Sequence, residues 1–386
     1  VVFSRRGQKG RVAMTLPQAR GMCERIETLG LGMPIKGVLV GAAVLQRSLY
    51  ACAVHAPSKQ ELKNLRGPCS RAIWGRAHPR RSAELVHTLF SKGHLTDPRQ
   101  AWAYTCLLTV RRLLLRQPEL RGRLREVLRL RNPNLRRGPQ QGPVHALLTA
   151  MRQCGLQWSQ DVAFAMTGPG GFCINLLEED REKFLHNTRA TLRVTVWAEL
   201  AARRRSFEDA EAGLSRKRSR WHWDHSHGEL RTFARVVATG GVETQHARWA
   251  SGKETDWNCP FCDLGVAEDL NHMNWVCPAW ARYRDEMLIP HGEDDLMYWP
   301  TCFIQHGLVP LTILDADEKP LTRLDQDAIE EVQQMLARVA QARTKAWEQL
   351  QQERQRLLER QQEEARRSLE HDLLGRERKR RRLVVC

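Results

Sequence analysis

The sequence has no run of about eighteen apolar residues, the length at which a helix begins to span a bilayer. Its first residues, Val-Val-Phe-Ser-Arg-Arg, also lack the charged and then apolar pattern of a secretory signal. These two absences predict that the chain does not insert into a membrane and lies inside the cell. Because it begins at Val1 instead of methionine, we expect it to be a piece of a longer protein or the product of an incomplete gene.

Nothing in the sequence indicates a disulfide framework. Its 11 cysteines are scattered over 386 residues with a single metal-like cluster, which is typical of reduced thiols. The length allows about two or three domains, and the hydrophobic content of 42% allows a sizeable core. Basic residues are in excess, with 61 Lys plus Arg against 44 Asp plus Glu and a net charge of +17. Such an excess predicts binding to nucleic acid or to an anionic surface.

One cluster has the spacing of a metal site. Two residues separate Cys259 from Cys262, nine separate Cys262 from His272, and four separate His272 from Cys277. This is a closed Cys3His set, and Zn²⁺ suits such thiolate and imidazole ligands. Four protein ligands leave no open position, so we expect a structural zinc rather than a catalytic one. The alternative is that these residues are ordinary buried thiols and a core or surface histidine.

The same stretch resembles a known family. Residues 257 to 284 have the order Cys-Pro-x-Cys, an acidic residue before Leu-x-His, then Trp-x-Cys-Pro-Ala-Trp and Arg. This order is similar to the cysteine-histidine motif near the C-terminus of non-LTR retrotransposon reverse transcriptases. Residues 231 to 248, with a Thr-Gly-Gly turn at Thr239, are similar to the segment that precedes that motif.

A second resemblance lies upstream, in the order that the family implies. Residues 35 to 54 form an apolar stretch that predicts a buried helix, and a Ser-Lys-Gln-Glu capping box at Ser58 opens the next helix. Residues 35 to 75, which end in Ile-Trp-Gly, resemble the thumb that follows the palm in these polymerases. The resemblance implies a thumb that grips a primer and template duplex, joined to an upstream palm.

These patterns predict a mostly α fold with a helical thumb and connector, a small zinc knuckle and a long C-terminal helix. The predicted regions are the end of a palm or a linker (1–34), a thumb-like helical region (35–131), a linker (132–143), a helical connector (144–228), a zinc-knuckle module (229–290), a loop (291–323), a long helix (324–375) and a basic tail (376–386). The glycine cluster at residues 167 to 171 is predicted to be a plain turn, because no Lys and Ser or Thr follow it at P-loop spacing.

Two basic segments are predicted to contact nucleic acid. Basic residues attract phosphate, and tryptophans offer faces on which unpaired bases stack. The first segment comprises Arg216, Lys217, Arg218, Arg220, Trp221 and Trp223, and the second is an arginine run that includes Arg121, Arg125 and Arg129. The first segment predicts binding of single-stranded RNA or DNA with little sequence preference and a steep dependence on salt. In the alternative interpretation the tryptophans pack under the zinc knuckle and the basic residues are only a solvated surface.

The C-terminal region combines an apolar stripe with many Gln, Glu and Arg residues, which predicts a long helix. A coiled coil with irregular heptads would allow self-association through this helix. The basic run at residues 376 to 382 fits a nuclear address as well as an RNA contact, and the sequence does not separate the two. We expect a nuclear location.

The resemblance implies an RNA-directed DNA polymerase, whose palm holds two metal ions on paired aspartates. No such pair precedes the thumb-like region, and Asp294-Asp295 lies downstream of the zinc motif. Some relatives carry a restriction-like endonuclease beyond that motif, and Asp317-Glu318-Lys319 has its acid-x-Lys spacing; a polar loop is the alternative. We therefore predict that this chain alone is not catalytic.

The function that the sequence predicts is that of a nucleic-acid-binding C-terminal fragment of such a polymerase, which holds template RNA or target DNA. The main alternative is a scaffold or regulatory protein that uses the zinc knuckle and the coiled coil for protein contacts. A thumb-like region favours the first, because a scaffold does not need one.

Overall fold

A computed structural model describes residues 16–50, 52–53, 56–75, 81–130, 142–159, 164–168, 171–289, 292, 296–311 and 326–383. Most of these residues are helical and strands are few, so the predicted mostly α fold with a long C-terminal helix is confirmed. None of the described helices is apolar over enough of its length to cross a membrane.

The elements of the N-terminal half are α1 (Leu16–Thr28), α2 (Met33–Leu39), α3 (Gln46–Ser48), α4 (Lys59–Trp74), α5 (Ala83–Leu89), α6 (Gly93–Thr96), α7 (Pro98–Arg116), α8 (Glu119–Leu130), α9 (Pro143–Gln153), β1 (Gln157–Trp158), β2 (Ala165–Thr167), β3 (Cys173–Asn175) and α10 (Arg181–Arg203). Those of the C-terminal half are α11 (Arg216–Ser219), α12 (Trp221–His225), α13 (Gly228–Ala238), α14 (Gln245–Ala250), α15 (Ala281–Asp285), α16 (Thr301–His306) and α17 (Gln326–Leu383). Two π-helical segments, Val40–Leu45 and His272–Val276, and two 3₁₀ turns, Arg205–Ala210 and Pro278–Trp280, complete the described chain.

The predicted capping box at the start of α4 is confirmed. Ser58 Oγ accepts a hydrogen bond from the Glu61 backbone N–H at 3.1 Å, and the Glu61 carboxylate accepts one from the Ser58 N–H at 2.7 Å. α7 begins in the same sequence-encoded way, with Asp97 as its cap and Pro98 as its first residue. Of the apolar positions that recur at helical spacing in α4, four are buried (Leu62, Leu65, Cys69 and Ile73) and Trp74 is half-buried.

A small antiparallel sheet, in the order β1-β2-β3, interrupts the helices, and the sequence did not predict it. Its strands have two or three residues, too few for an alternating pattern to stand out. The predicted turn at residues 167 to 171 lies between β2 and β3, although 169 and 170 are outside the described residues. Gly168 is needed there, because a Cβ at this position would lie 2.2 Å from the Cγ2 of Thr191.

One apolar core joins the predicted thumb-like region to the predicted connector. Leu107 on α7, Leu147 on α9 and Leu192 on α10 are all buried in it. Their packing spans the predicted linker, of which only residues 142 and 143 are described. Because the two regions bury each other's side chains, we expect them to unfold as one cooperative unit.

A second core lies between the Cys/His loop, which we define as residues 257–277, and the first part of α17. Met273 and Trp275 of the loop region belong to it together with Ile329, Val332 and Leu336 of α17. The predicted zinc-knuckle module therefore packs on the long helix instead of standing free.

α2, the first π-helical segment and α3 follow one another as one continuous helix. Part of one face of this helix is exposed. Val40, Val44 and Leu45 are buried, whereas the side chains of Ile35 and Val38 are 53% and 65% exposed. The buried helix predicted for residues 35 to 54 is thus shorter than expected and covered on one side only.

The long helix α17 begins close to the predicted position and extends to Leu383, so its backbone includes most of the predicted basic tail. Its side chains are mostly buried or half-buried up to Gln351 and exposed from there to Glu370. The side chains beyond Glu370 are outside the described residues. The predicted loop at 291–323 contains α16, and most of its remainder is also outside the described residues.

Candidate metal centre and basic surface

The four predicted metal ligands lie together. The ligand atoms of Cys259, Cys262, His272 and Cys277 are all within 4.8 Å of one another. The Sγ atoms of Cys259 and Cys277 are 3.8 Å apart, and Cys262 Sγ is 3.4 Å from His272 Nε2. A tetrahedral zinc with Zn–S bonds of about 2.3 Å separates two sulfurs by about 3.8 Å. The cluster therefore has the dimensions of a four-ligand metal site, and it could hold an ion.

Local backbone structure positions each ligand. The Cys259 N–H donates to Val266 O at 2.8 Å, which closes the turn that carries Cys259 and Cys262. The His272 N–H donates to the Asp269 carboxylate at 2.7 Å, which caps the π-helical turn on which His272 sits. Cys277 ends that turn, so the histidine and the last cysteine reach the same point.

Burial controls the protonation of the ligands. It raises the pKa of the Cys259 and Cys277 thiols above their ordinary value and lowers the pKa of His272. The imidazole is therefore neutral and able to bind a metal, whereas the buried thiols require a cation to become thiolates. Arg284, whose guanidinium donates to Cys277 O at 2.7 Å, braces the last ligand through its backbone.

A buried ion pair fastens the Cys/His loop to α17. Glu268 is 0% exposed and Arg343 is 4% exposed. The Arg343 Nε donates to one oxygen of Glu268 at 3.0 Å, and a terminal nitrogen donates to the other at 2.8 Å. The same guanidinium lies 5.0 Å from the ring centre of Trp347. These partners are 75 positions apart, and no sequence pattern indicates that they pair.

Replacing Arg343 with methionine is expected to lower the free energy of unfolding by about 3 to 5 kcal/mol, because the Glu268 carboxylate is then buried without its partner. Guanidinium chloride unfolding followed by tryptophan fluorescence measures the change. Arg338→Met is the matched control on the same helix, since Arg338 pairs with Glu286 at the surface and such pairs contribute about 1 kcal/mol or less. Equal losses in both variants would show that the buried pair has no special role.

The basic residues of the first predicted segment differ in their surroundings. Lys217 is exposed, and Arg216 and Arg218 are half-buried. Arg216 Nε donates to Leu89 O at 3.0 Å, and Arg220 forms an ion pair with Asp224 at 3.1 Å. Each of the four remains near solvent.

The tryptophans of this segment do not offer the expected stacking platform. Trp223 is 2% exposed and its ring is stacked on Phe90, with centroids 4.6 Å apart. A ring enclosed in this way has no open face for a base, so the predicted role of Trp223 is corrected to that of a core residue. The side chain of Trp221 is outside the described residues.

The arginines of the second predicted segment are partly engaged with the protein. Arg121 Nε donates to Leu114 O at 2.9 Å, and the Arg125 guanidinium lies 5.6 Å from the ring centre of Phe164. The side chain of Arg129 is outside the described residues. Arg121 is half-buried with its Nε engaged in this way, whereas Arg125 is exposed.

The fold gathers a larger basic surface than the sequence indicated. We use the name basic surface for Lys92, Arg189, Arg193, Arg216, Arg220, Arg231 and Arg235. Burial, and then repulsion from Arg220 and Arg193, lower the pKa of Arg216. Burial, and then repulsion from Arg231 and Arg220, lower that of Arg235 to about 10. Among the described residues, an ion pair joins this surface to one carboxylate, that of Asp224.

The Cys/His loop and its flanks have the opposite charge. Residues 244–287 contain basic residues at four positions (248, 253, 282, 284) and acidic residues at seven (254, 256, 263, 268, 269, 285, 286). Trp249 and Trp257 are exposed there by 37% and 45%, with ring centroids 4.6 Å apart. The sequence did not indicate this exposed pair, because only burial in the fold distinguishes these two tryptophans from the enclosed Trp223.

A buried serine–histidine pair looks like catalytic machinery but is structural. Ser70 Oγ lies 2.9 Å from His87 Nε2, and His87 Nδ1 lies 3.2 Å from Thr96 Oγ1. All three side chains are buried, and Ser70 Oγ also donates to Arg66 O. Their hydrogen bonds join α4, α5 and α6. The acidic residues considered for a nuclease, at 294, 295 and 317–318, and Lys319 are outside the described residues.

Compared with models of protein families, with curated proteins and with solved structures, the chain has no match. Its function must therefore be argued from its own residues.

Proposed function

We propose that the chain binds nucleic acid through the phosphate backbone, with the basic surface as the contact. The observation that carries this proposal is the convergence of seven basic side chains from several segments of the chain. Among the described residues, one carboxylate forms an ion pair with them, that of Asp224. Cations held together repel one another, and a polyanion relieves that repulsion while releasing its own counterions. The net charge of +17 acts in the same direction.

We also propose that the ion in the Cys/His cluster is Zn²⁺. Three thiols and one imidazole form a borderline-soft donor set, and the sulfur separation of 3.8 Å fits tetrahedral zinc. With four protein ligands the ion would shape the loop and would not take part in chemistry. The acidic charge of the loop argues that zinc organises the fold here and that phosphate contacts lie elsewhere.

The resemblance to the C-terminal part of non-LTR retroelement reverse transcriptases supports the same function. The sequence resemblance puts a thumb-like segment before a Cys/His cluster, in the order of that family. In such a protein the upstream palm would supply catalysis and this chain would hold template RNA or target DNA. The nuclear location and self-association through α17 stay predictions.

Replacing Arg193, Arg216 and Arg220 together with glutamine is expected to weaken nucleic-acid binding and to flatten its dependence on salt. Each lost phosphate contact should reduce the slope of log affinity against log salt by about 0.7 to 0.9. Fluorescence anisotropy of a labelled oligonucleotide at several salt concentrations gives both quantities.

In the matched control, glutamine replaces three arginines on the exposed half of α17, namely Arg356, Arg360 and Arg367. This control lowers the net charge by the same amount as the first triple variant. If binding depends on the basic surface, this control keeps a slope close to that of the unmodified chain. Equal slopes in both triple variants would mean that only the total charge matters, and the proposed surface would be wrong.

A protein-binding scaffold is the second candidate function, and the exposed Trp249–Trp257 pair in an acidic setting favours it. Aromatic residues are enriched where proteins meet, whereas acidic residues repel phosphate. If the unmodified chain bound no oligonucleotide even at low salt, this reading would replace the first.

A further inference from the structure

A half-open cleft of about 770 Å³ lies beside the basic surface. One wall is the helix of α2, the π-helical segment and α3; the other is α7 with the residues before it. Ala42, Leu45 and Leu49 line the first wall and Ala101 and Leu108 the second, so most of the lining is apolar. Its volume lies in the range of small-ligand sites, which are about 300 to 1,000 Å³.

The cleft also contains aromatic rings. Tyr50 lies on its wall with a side chain that is 57% exposed. His94 and Tyr104 meet edge to face inside it, with centroids 4.9 Å apart. Burial, and then the charges of Arg189 and Lys92, lower the pKa of His94 to about 4, so this ring is neutral near pH 7. Tyr104 is itself buried, so Tyr50 and the half-buried His94 are the rings on which a nucleobase can stack.

Cations also line the same cleft. Lys92, Arg216 and Arg220 are among its lining residues. The Arg216 guanidinium is fixed by its hydrogen bond to Leu89 O at 3.0 Å. A ligand in the cleft therefore meets apolar and aromatic side chains together with positive charge.

We propose that this cleft seats an unpaired base of the nucleic acid whose phosphates lie on the basic surface. The inference rests on the proposed function and adds to it the class of strand that is bound. An unpaired nucleotide matches both the apolar and the basic lining of the cleft, because its base has apolar faces and its phosphate is anionic. The cleft is half open, so the polar edges of the base remain in contact with water and are not left unsatisfied.

The consequence is a preference for single strands. In a duplex the bases are stacked and paired inside, and entering the cleft requires that one be unstacked and unpaired first. Duplex therefore reaches only the phosphate contacts, whereas a single strand reaches both.

The test compares labelled oligothymidylate with an oligonucleotide of equal length in which abasic sites replace the bases. Ala42→Trp fills the cleft from an exposed position, and Thr105→Trp does so from the opposite wall. Each variant is expected to bind oligothymidylate about tenfold more weakly and the abasic strand unchanged, with the same salt slope, because only stacking is lost. Ala365→Trp, on the exposed part of α17, is the control and should change neither affinity.

Three results would overturn the inference. If both cleft variants bind oligothymidylate as tightly as the unmodified chain, no base enters the cleft. If they lose affinity for both strands equally, they act on the phosphate contacts. If the unmodified chain is a dimer in sedimentation experiments and Ala42→Trp dissociates it without changing oligonucleotide affinity, the cleft is an interface between two copies. If the unmodified chain binds neither strand, the proposed function itself fails, which is a distinct outcome.

Discussion

Protein with Cys262 replaced by serine is expected to bind no metal ion and to have an unfolded Cys/His loop. Cys262 Sγ lies 3.4 Å from His272 Nε2, so its loss leaves three ligands. Structural zinc sites contribute about 10 kcal/mol or more of apparent binding free energy to folding. Since Cys262 is only half-buried, serine itself disturbs little packing, and the effect reports the metal.

Elemental analysis should find one zinc per chain in the unmodified protein purified under reducing conditions, and none in the Cys262→Ser variant. Trp275 of the loop and Trp280 just after it belong to the core between the loop and α17, so tryptophan fluorescence should shift as they become exposed. Cys173→Ser is the matched control, because Cys173 is an exposed thiol outside the cluster. A metal-free unmodified chain with a folded loop would contradict the zinc proposal.

Acidification is expected to unfold the whole protein, through histidines that the fold keeps neutral. Burial lowers the pKa of His87 and of His306 from 6.5 to about 4, and that of His222 in the same way. In the unfolded chain these histidines therefore bind protons below pH 6.5, whereas in the folded chain they bind them only near pH 4. The stability that neutral histidine provides is complete above pH 6.5 and is lost as the pH falls through this window.

The magnitude follows from the shift in pKa. As the pH falls through this window, each histidine lowers the free energy of unfolding by about 1.4 kcal/mol per pH unit. Over the whole window each histidine therefore lowers it by roughly 3 kcal/mol. The lowered pKa values of Glu84 and Asp97, which the Arg66 charge holds down against burial, mean that stability continues to fall below the window.

Denaturant unfolding at several pH values between 6.5 and 4 measures this slope. In His306→Phe, which preserves the ring that stacks on Phe207 at 4.5 Å, the slope should fall by about 1.4 kcal/mol per pH unit. Comparison with the unmodified chain cancels any contribution from acid release of the metal. His227→Gln removes an exposed imidazole as the control, and an equal change of slope there would contradict the assignment.

The buried polar groups that set this acid sensitivity also hold the helical body together. Arg66 donates to Glu84 at 2.9 Å and to Asp97 at 2.5 Å, and Arg203 of α10 donates to Glu84 at 2.6 Å. Glu84 and Asp97 are both buried. This network ties α4, α5 and α10 to one another, and these helices lie on both sides of the predicted linker.

Much of the candidate site could be read from local sequence. The ligand cysteines and histidine lie within 19 residues of chain, from 259 to 277, so their spacing restricts the loop to conformations in which they can meet. Ser58 indicates a helix start because a cap binds a backbone N–H group only three residues away. Such signals need no knowledge of the remaining fold.

The sequence by itself therefore determined the helical class, the start of α4, the ligand set and the excess of positive charge. Only the tertiary structure decided that Trp223 is enclosed while Trp257 is exposed, that Glu268 pairs with Arg343, and that arginines of α10, α11 and α13 share one surface. The physical reason is the distance along the chain over which each interaction acts. Capping and ligand spacing depend on neighbours along the chain, whereas burial and charge pairing depend on which distant segments pack together, and composition does not specify that packing.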